Sequence, residues 1–258
     1  MREVYRELPC VKVDGTTATE AMHPVVEEVP VMILVNGRHL ATAMMSPVRL
    51  EEFAVGHLFT EGIITSCDAI ESVQVEKQTI RVLTRDHLRP LGPKRTILSG
   101  CGGSSSFLDP AKLPKIDSDY SVGTWQVSDA MKQVLDSEIH RLTGGVHVVG
   151  LASDEGVLCI REDIGRHNAL DRVIGFALAE GINRPRTFLV SSGRISSEMA
   201  RKCLVAGIPI VVSRSATTAL ALELAGKNGL TVCAFARGSR MNVYTHPHRI
   251  RITGDGRS

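Results

Sequence analysis

Hydrophobic and polar positions divide the chain into two patterned stretches with an unpatterned one between them. Val29 to Val35 is a β-rich apolar run, Asn36-Gly37 is a tight-turn signal, and Leu40 to Met45 resumes the run, which predicts a hairpin. Ser46-Pro47 then opens a predicted helix with Leu50, Phe53, Ala54, His57 and Leu58 at helical spacing, ending near Gly62. Ile70 to Val75 and Thr79 to Leu83 read as a second pair of strands, so residues 1–84 are expected to form a small α+β subdomain. From Thr84 to Gly123 the periodicity disappears. Pro90, Pro93, Pro110 and Pro114 flank a Gly/Ser cluster, and residues 85–123 read as a linker with a mobile cysteine loop.

Regularity returns with Val127, Met131, Val134, Leu135, Ile139 and Leu142, which share one face of a predicted helix over Val127 to Leu142. Val146 to Ala152 and Val157 to Ile160 predict a hairpin around Asp154-Glu155-Gly156. Apolar strands (Thr187 to Ser191, Ile208 to Ser213, Leu230 to Phe235) then alternate with amphipathic helices (Ala169 to Glu180, Ile195 to Ala206, Thr217 to Gly226). Continuous apolar strands joined through helices call for a sheet covered on both faces. Residues 124–258 are therefore expected to form a three-layer α/β domain.

Composition narrows the class. A chain of 258 residues with 43% hydrophobic and 22% charged residues can bury a sizeable core. A formal charge of +2 argues against nucleic acid as a bulk partner. Met1 to Glu7 carries no apolar run, and no stretch approaches the roughly 20 apolar residues that span a bilayer, so a cytoplasmic protein without membrane contact is expected. The six cysteines lack Cys-x-x-Cys spacing, and Cys159, Cys203 and Cys233 sit in apolar runs as small hydrophobes would.

Cys101 differs by context. It lies in Leu98-Ser99-Gly100-Cys101-Gly102-Gly103-Ser104-Ser105-Ser106, where no neighbour has the bulk to build a core. Either this is a flexible linker that happens to hold a cysteine, or a thiol is being presented to a partner's sulfur or a large cofactor. Four further loops follow predicted strands and carry arginine: Arg161 to Asn168, Ser191 to Arg194, Ser213 to Ser215 and Arg237 to Asn242. One such loop is an ordinary turn or helix start; four together favour an anionic ligand such as a nucleotide or pyrophosphate-bearing cofactor. Arg166, His167, Ser192 and Arg194 are the candidates there. His167 fits either a ligand contact or a ring bonded to a neighbouring acid such as Asp163; Glu162 and Asp163 fit either catalysis or pairing with Arg161 and Arg166. His246 and His248 would need a third partner to hold a metal.

Taken together, the motifs resemble those of the formate dehydrogenase accessory sulfurtransferases, the FdhD family. The matching segments are Pro47 to Ile64, Gly144-Gly145-Val146-His147, Arg161 to Asp171, Val190 to Glu198 and Phe235 to Thr245. The resemblance implies that Cys101 takes persulfide sulfur from a cysteine desulfurase and passes it to the molybdenum cofactor before insertion into formate dehydrogenase. It further implies that Phe235, Ala236, Arg237, Gly238, Ser239 and Arg240 bind molybdenum bis(molybdopterin guanine dinucleotide), and that the C-terminal domain is cytidine-deaminase-like. A homodimer is expected as well. One position departs from the pattern: many members carry Cys-x-x-Cys in the loop, and here the fourth position is Ser104. Release of sulfur by an internal disulfide is therefore unsupported, and a chaperone that binds the cofactor without carrying sulfur is the alternative. A zinc deaminase needs His-x-Glu and Pro-Cys-x-x-Cys, neither of which occurs, so no zinc is expected.

Overall fold

The computed structural model describes residues 4–85, the backbone of 95–97, and 113–252; Cys101 and its loop lie outside the described residues. The chain begins with β1 (Tyr5–Asp14) and β2 (Thr17–Val26), paired antiparallel as a two-stranded arm. No core-forming run marks these residues, so the arm is not evident from the hydrophobic pattern.

Strict alternation builds the first sheet. In β3 (Val29–Val35), Val31, Ile33 and Val35 are buried while Pro30 and Met32 face out, as period-two side chains on a half-covered sheet must. β4 (Arg38–Met45) returns through Asn36-Gly37, where both residues take positive φ (49° and 75°), the requirement of the predicted tight turn. After α1 (Leu50–Thr60) come β5 (Ile70–Glu76), β6 (Thr79–Thr84) and β7 (Arg95–Ile97), giving a five-stranded sheet in the order β5-β6-β3-β4-β7. Phe53, Ala54 and Leu58 of α1 are fully buried in the cluster that holds the sheet's Val31, Ile33 and Val82.

β8 (Val122–Gly123), α2 (Thr124–Leu135) and α3 (Glu138–Thr143) lead into the second sheet. It comprises β9 (His147–Ser153), β10 (Gly156–Asp163), β11 (Phe188–Ser191), β12 (Ile210–Ser213), β13 (Thr231–Arg237) and β14 (Arg240–Val243), in the order β10-β9-β11-β12-β13-β14. Three helices connect the strands: α4 (Arg166–Ala179), α5 (Ser197–Ala206) and α6 (Ala219–Asn228). β15 (Ile250–Arg251) pairs parallel with β8. Alternate residues go to opposite faces: Val148, Ala152, Val190 and Val212 meet Val127, Met131 and Val134 of α2, whereas Val149, Leu151, Leu189 and Val211 join α4, α5 and α6. The protein is thus a mixed α/β structure with helices on both faces of this sheet.

Two features differ from the sequence expectation. The single helix expected over Val127 to Leu142 is broken: Asp136 ends α2, and Ser137 is extended (φ −63°, ψ 148°) before α3. Asp and Ser side chains compete for backbone groups, which suits them to helix ends rather than interiors. The segment after Phe235, expected as a loop, is a hairpin turning at Gly238 (φ 54°) between β13 and β14.

The two patterned stretches share an apolar layer because α1 lies directly on α4. Gly56 and Gly175 face each other at the crossing: a Cβ on Gly56 would overlap the Asp171 carbonyl oxygen and come 2.8 Å from the Gly175 nitrogen. The backbones themselves are in contact there.

Candidate functional site

β9 is antiparallel to both β10 and β11, and β11, β12 and β13 are mutually parallel, so β10, β11, β12 and β13 all end at one edge of the sheet. That edge is where loops and helix N-termini of an open α/β sheet offer donors to a ligand. All four arginine-bearing loops read from the sequence arrive there, together with His147 at the start of β9.

Hydrogen bonds lock the loops side by side. The Arg214 N–H donates to the Ser191 carbonyl at 3.0 Å, and the Phe235 N–H donates to the Ser215 carbonyl at 3.0 Å. Ser213 Oγ donates to the Gly193 carbonyl (2.6 Å) and accepts the Ser215 N–H (2.9 Å). Ser192 is held in turn, since its Oγ accepts the Val148 N–H at 2.9 Å. Serine suits these positions because a short hydroxyl satisfies loop backbone groups without adding bulk. Gly193 is needed for close approach: a Cβ there would stand 3.1 Å from both Arg166 Cβ and His147 Nδ1.

The side chains of this edge are predominantly cationic. Arg194, Arg214, Arg237 and Arg240 are exposed and Arg166 is half-buried. Phe235 takes a left-handed backbone (φ 55°) and leaves its ring 44% exposed, while Ala236 is buried. A bulge in the β13–β14 pairing between Ala234 and Arg237 accompanies that conformation. Burial lowers the affinity of His147 for a proton, and Arg166, His140 and Arg194 push it down further. The edge therefore offers guanidinium groups, an exposed aromatic ring and a neutral imidazole.

His167 is differently placed. Its Nε2 lies 3.2 Å from the Ser196 hydroxyl, which caps α5 by accepting the Met199 N–H. The expected acid partner is not Asp163. Its carboxyl accepts from Arg172, the Ser46 and Gly165 amides and Asn168, and burial raises its proton affinity against the opposing pull of those four donors. Arg161 pairs with Glu52, and Glu162 accepts the His140 N–H. Burial, reinforced by Arg166 and Lys202, pushes His167 down to about 3. Above the ordinary histidine value of about 6.5 this has no effect on stability. As pH falls below that value the unfolded chain takes up a proton that the folded chain refuses, and stability is lost progressively toward pH 3. His167→Gln is expected to lose less stability than the parent between pH 7.5 and 5 in urea titrations; equal losses would show that His167 is not the group responsible.

Behind this edge lies a buried charge cluster that sequence reasoning missed. Lys202 Nζ donates to both Asp171 oxygens at 2.9 Å and to Thr60 Oγ1 at 2.8 Å, and lies 3.3 Å from Glu61. His57 Nδ1 is 3.1 Å from Asp171, and Arg201 reaches Glu61 (2.6 Å) and Glu198 (2.5 Å). Burial raises the Asp171 carboxyl, but Lys202 and His57 outweigh it and hold the group well below the usual carboxylate range. The one available signal was charge inside otherwise apolar helical runs, at His57, Asp171 and Lys202.

Cys159, Cys203 and Cys233 are buried as expected, and burial pushes their thiols up to about 11, 12 and 12. His246 and His248 meet ring edge to face at 6.0 Å. Among the described residues no group of three or more His, Cys, Asp or Glu side chains could hold a metal ion. No helix among them is long and apolar enough to cross a membrane.

The arrangement defines an α/β protein with a cationic carboxyl edge. Residues 26–251 match the family model described as FdhD/NarQ, and the chain belongs to that family. A relative from Methanothermobacter thermautotrophicus, named sulfur carrier protein FdhD, is 34% identical over 249 residues, covering 96% of this chain and 99% of its own. A protein of the same name from Staphylococcus haemolyticus is 37% identical over 237 residues, covering 88% and 90%. A crystal structure assigned to a formate dehydrogenase accessory protein of Desulfotalea psychrophila superposes with a TM-score of 0.82 at 29% identity, over 96% of this chain and 100% of that one.

Proposed function

We propose that this chain is a cytoplasmic sulfur carrier for formate dehydrogenase maturation. Cys101 receives sulfur from a cysteine desulfurase and delivers it to molybdenum bis(molybdopterin guanine dinucleotide) before that cofactor enters formate dehydrogenase. The observation that supports it most is the convergence of four arginine-bearing loops on one carboxyl edge, where guanidinium groups match the pyrophosphates of a dinucleotide cargo. The exposed Phe235 ring, beside Arg237 and Arg240, suits the guanine base. Arg166, Ser192 and Arg194 extend the same edge, and His167 backs it from the N-terminus of α4. The strand order, with one antiparallel strand inserted among parallel neighbours, is consistent with a cytidine-deaminase-like C-terminal domain.

The first transfer balances without a redox partner. The Cys101 thiolate attacks the sulfane sulfur of the donor persulfide, a new S–S bond forms, the donor's S–S bond breaks, and the donor leaves as a thiolate. Turning that sulfane sulfur into a sulfide ligand takes two electrons. Ser104 supplies no second loop thiol, so the electrons come from the molybdenum acceptor or an external thiol.

Intact mass after incubation with a cysteine desulfurase and cysteine tests this function. The parent chain is expected to gain about 32 Da, removable by reductant, whereas Cys101→Ser gains nothing while still binding GDP. No gain in the parent protein would overturn sulfur carriage and leave the cofactor-binding chaperone.

A further inference from the structure

At the end of the second sheet opposite the arginine loops, a small cavity lies between the start of α2 and the β9–β10 turn. Ala130, Ala152 and Phe188 are buried and make its floor apolar. Asp129, Asp154 and Glu155 stand exposed around its mouth, and the Trp125 ring, 52% exposed, forms a wall. The volume is about 160 Å³. Cofactor sites take roughly 300 Å³ or more, whereas a cavity of about 150 Å³ admits a benzene-sized group. The space therefore fits one side chain.

Among the described residues none of these three acids forms an ion pair. Asp129 accepts the Gln133 side-chain amide at 2.7 Å and Asp154 that of Gln126 at 3.4 Å, while Arg251 reaches Gln126 rather than an acid. The indole is held in place: a Cβ on Gly123 would stand 3.0 Å from its Nε1, and Gln126 Oε1 accepts the Gly123 N–H at 2.9 Å. Behind Asp154 the Tyr120 side chain is 1% exposed, and its hydroxyl is buried without a well-formed hydrogen bond. Burial and then the Asp154 carboxylate keep that phenol protonated, so what its oxygen lacks is a donor.

We propose that this cavity receives an arginine side chain from a basic segment of a partner protein. A guanidinium lies flat on an indole, pairs with carboxylates at its edge, and keeps further N–H donors for the Tyr120 oxygen. An ammonium is a compact point charge and gains less from a flat ring.

The surroundings favour a polypeptide over a free cation. A shallower groove continues along α2, lined by Asp129, Lys132, Gln133, Leu135 and Asp136. Asp129 borders both spaces, so a chain whose arginine fills the cavity can run on along the groove, which free arginine would leave empty. The cavity sits at the amino ends of β10 and β11, whereas the arginine loops leave their carboxyl ends. A partner held there leaves the carboxyl edge open. Docking at this site does not depend on sulfur transfer.

Trp125 is the only tryptophan of the chain, so its indole N–H resonance reads the site directly. NMR titration of the full chain with an acetylated, amidated Gly-Gly-Arg-Gly-Gly peptide tests the proposal. The resonance is expected to shift saturably, and the same peptide with uncharged citrulline in place of arginine should leave it unmoved. Asp154→Asn with Glu155→Gln, both at exposed positions, should raise the half-saturating concentration about fivefold. Circular dichroism establishes that this variant is folded. Free arginine should bind more weakly than the peptide. No shift with the arginine peptide, an equal shift with the citrulline peptide, or an unchanged half-saturation in the variant overturns the proposal. Free arginine that binds as tightly as the peptide overturns the protein partner and leaves a site for a small cation.

Discussion

Gly56→Ala is expected to destabilise the fold by more than about 4 kcal/mol, enough to leave little folded protein in a urea titration. On an exposed helix the same substitution adds up to about 1 kcal/mol of stability, because alanine loses less backbone entropy than glycine. Here the sign reverses, for a geometric reason. The new methyl would overlap the Asp171 carbonyl oxygen and stand 2.7 Å from its carbon. These are backbone atoms of α4 that no rotamer change can move. The helices would have to separate, opening the layer in which Phe53, Ala54 and Leu58 meet Leu170 and Ile174. Gly175→Ala produces the mirror-image collision, against Glu52 of α1, and should cost as much. The double variant should cost less than the two single losses added, since one separation relieves both clashes. A Gly56→Ala protein as stable as its parent would show that the two helices do not touch.

The second large effect is expected from Lys202→Met. Lys202 is 2% exposed and donates to Asp171, Thr60 and Glu61, three groups drawn from α1, its C-cap and α4. Removing the ammonium leaves two carboxylates in the interior, with Arg201 on Glu61 and the His57 ring beside Asp171 as the remaining partners among the described residues. Breaking one partner out of a buried ionic group costs about 3–5 kcal/mol, well beyond the worth of a surface pair. The pH dependence identifies the cause. Asp171 is held below the usual carboxylate range in the folded protein, so its contribution is complete above about pH 4 and is lost as pH falls. Without Lys202 its folded value rises, and the deficit of the variant should shrink as the medium is acidified. Adding Asp171→Asn to Lys202→Met should restore part of the stability. Urea midpoints at pH 7 and 5 decide the matter; a Lys202→Met midpoint equal to the parent's at pH 7 would remove the cluster from any account of stability.

Both effects sit at the joint between the two patterned stretches, and that joint was not legible in the sequence. Gly56 reads as a weak point inside a helix, and Lys202 reads as a charge on a helix flank. Each acquires its meaning from a partner more than 100 residues away, which no local pattern can specify. The arm was invisible for a related reason. Its strands alternate in side-chain direction like any others, but they belong to neither apolar cluster of the described residues, so no continuous apolar run announces them.

Local and periodic features were legible from the residues alone. Alternation in Val29 to Val35 with Asn36-Gly37 produced the β3–β4 hairpin, and the apolar runs ending at Ser191, Ser213 and the Phe235 segment produced the parallel strands of the second sheet. Those patterns suffice because burial on one or both faces of a strand fixes which side chains must be apolar. The motif set likewise sufficed for family membership. Which loops became neighbours was settled only in the folded chain. Strand direction brought the loops of Arg166, Arg194, Arg214 and Arg237 to one edge and set His147 among them, while His167 turned to Ser196 rather than Asp163. The physical reason is that hydrophobic burial specifies faces and periods along the chain, whereas adjacency between distant loops follows only from the order and direction in which the strands pair.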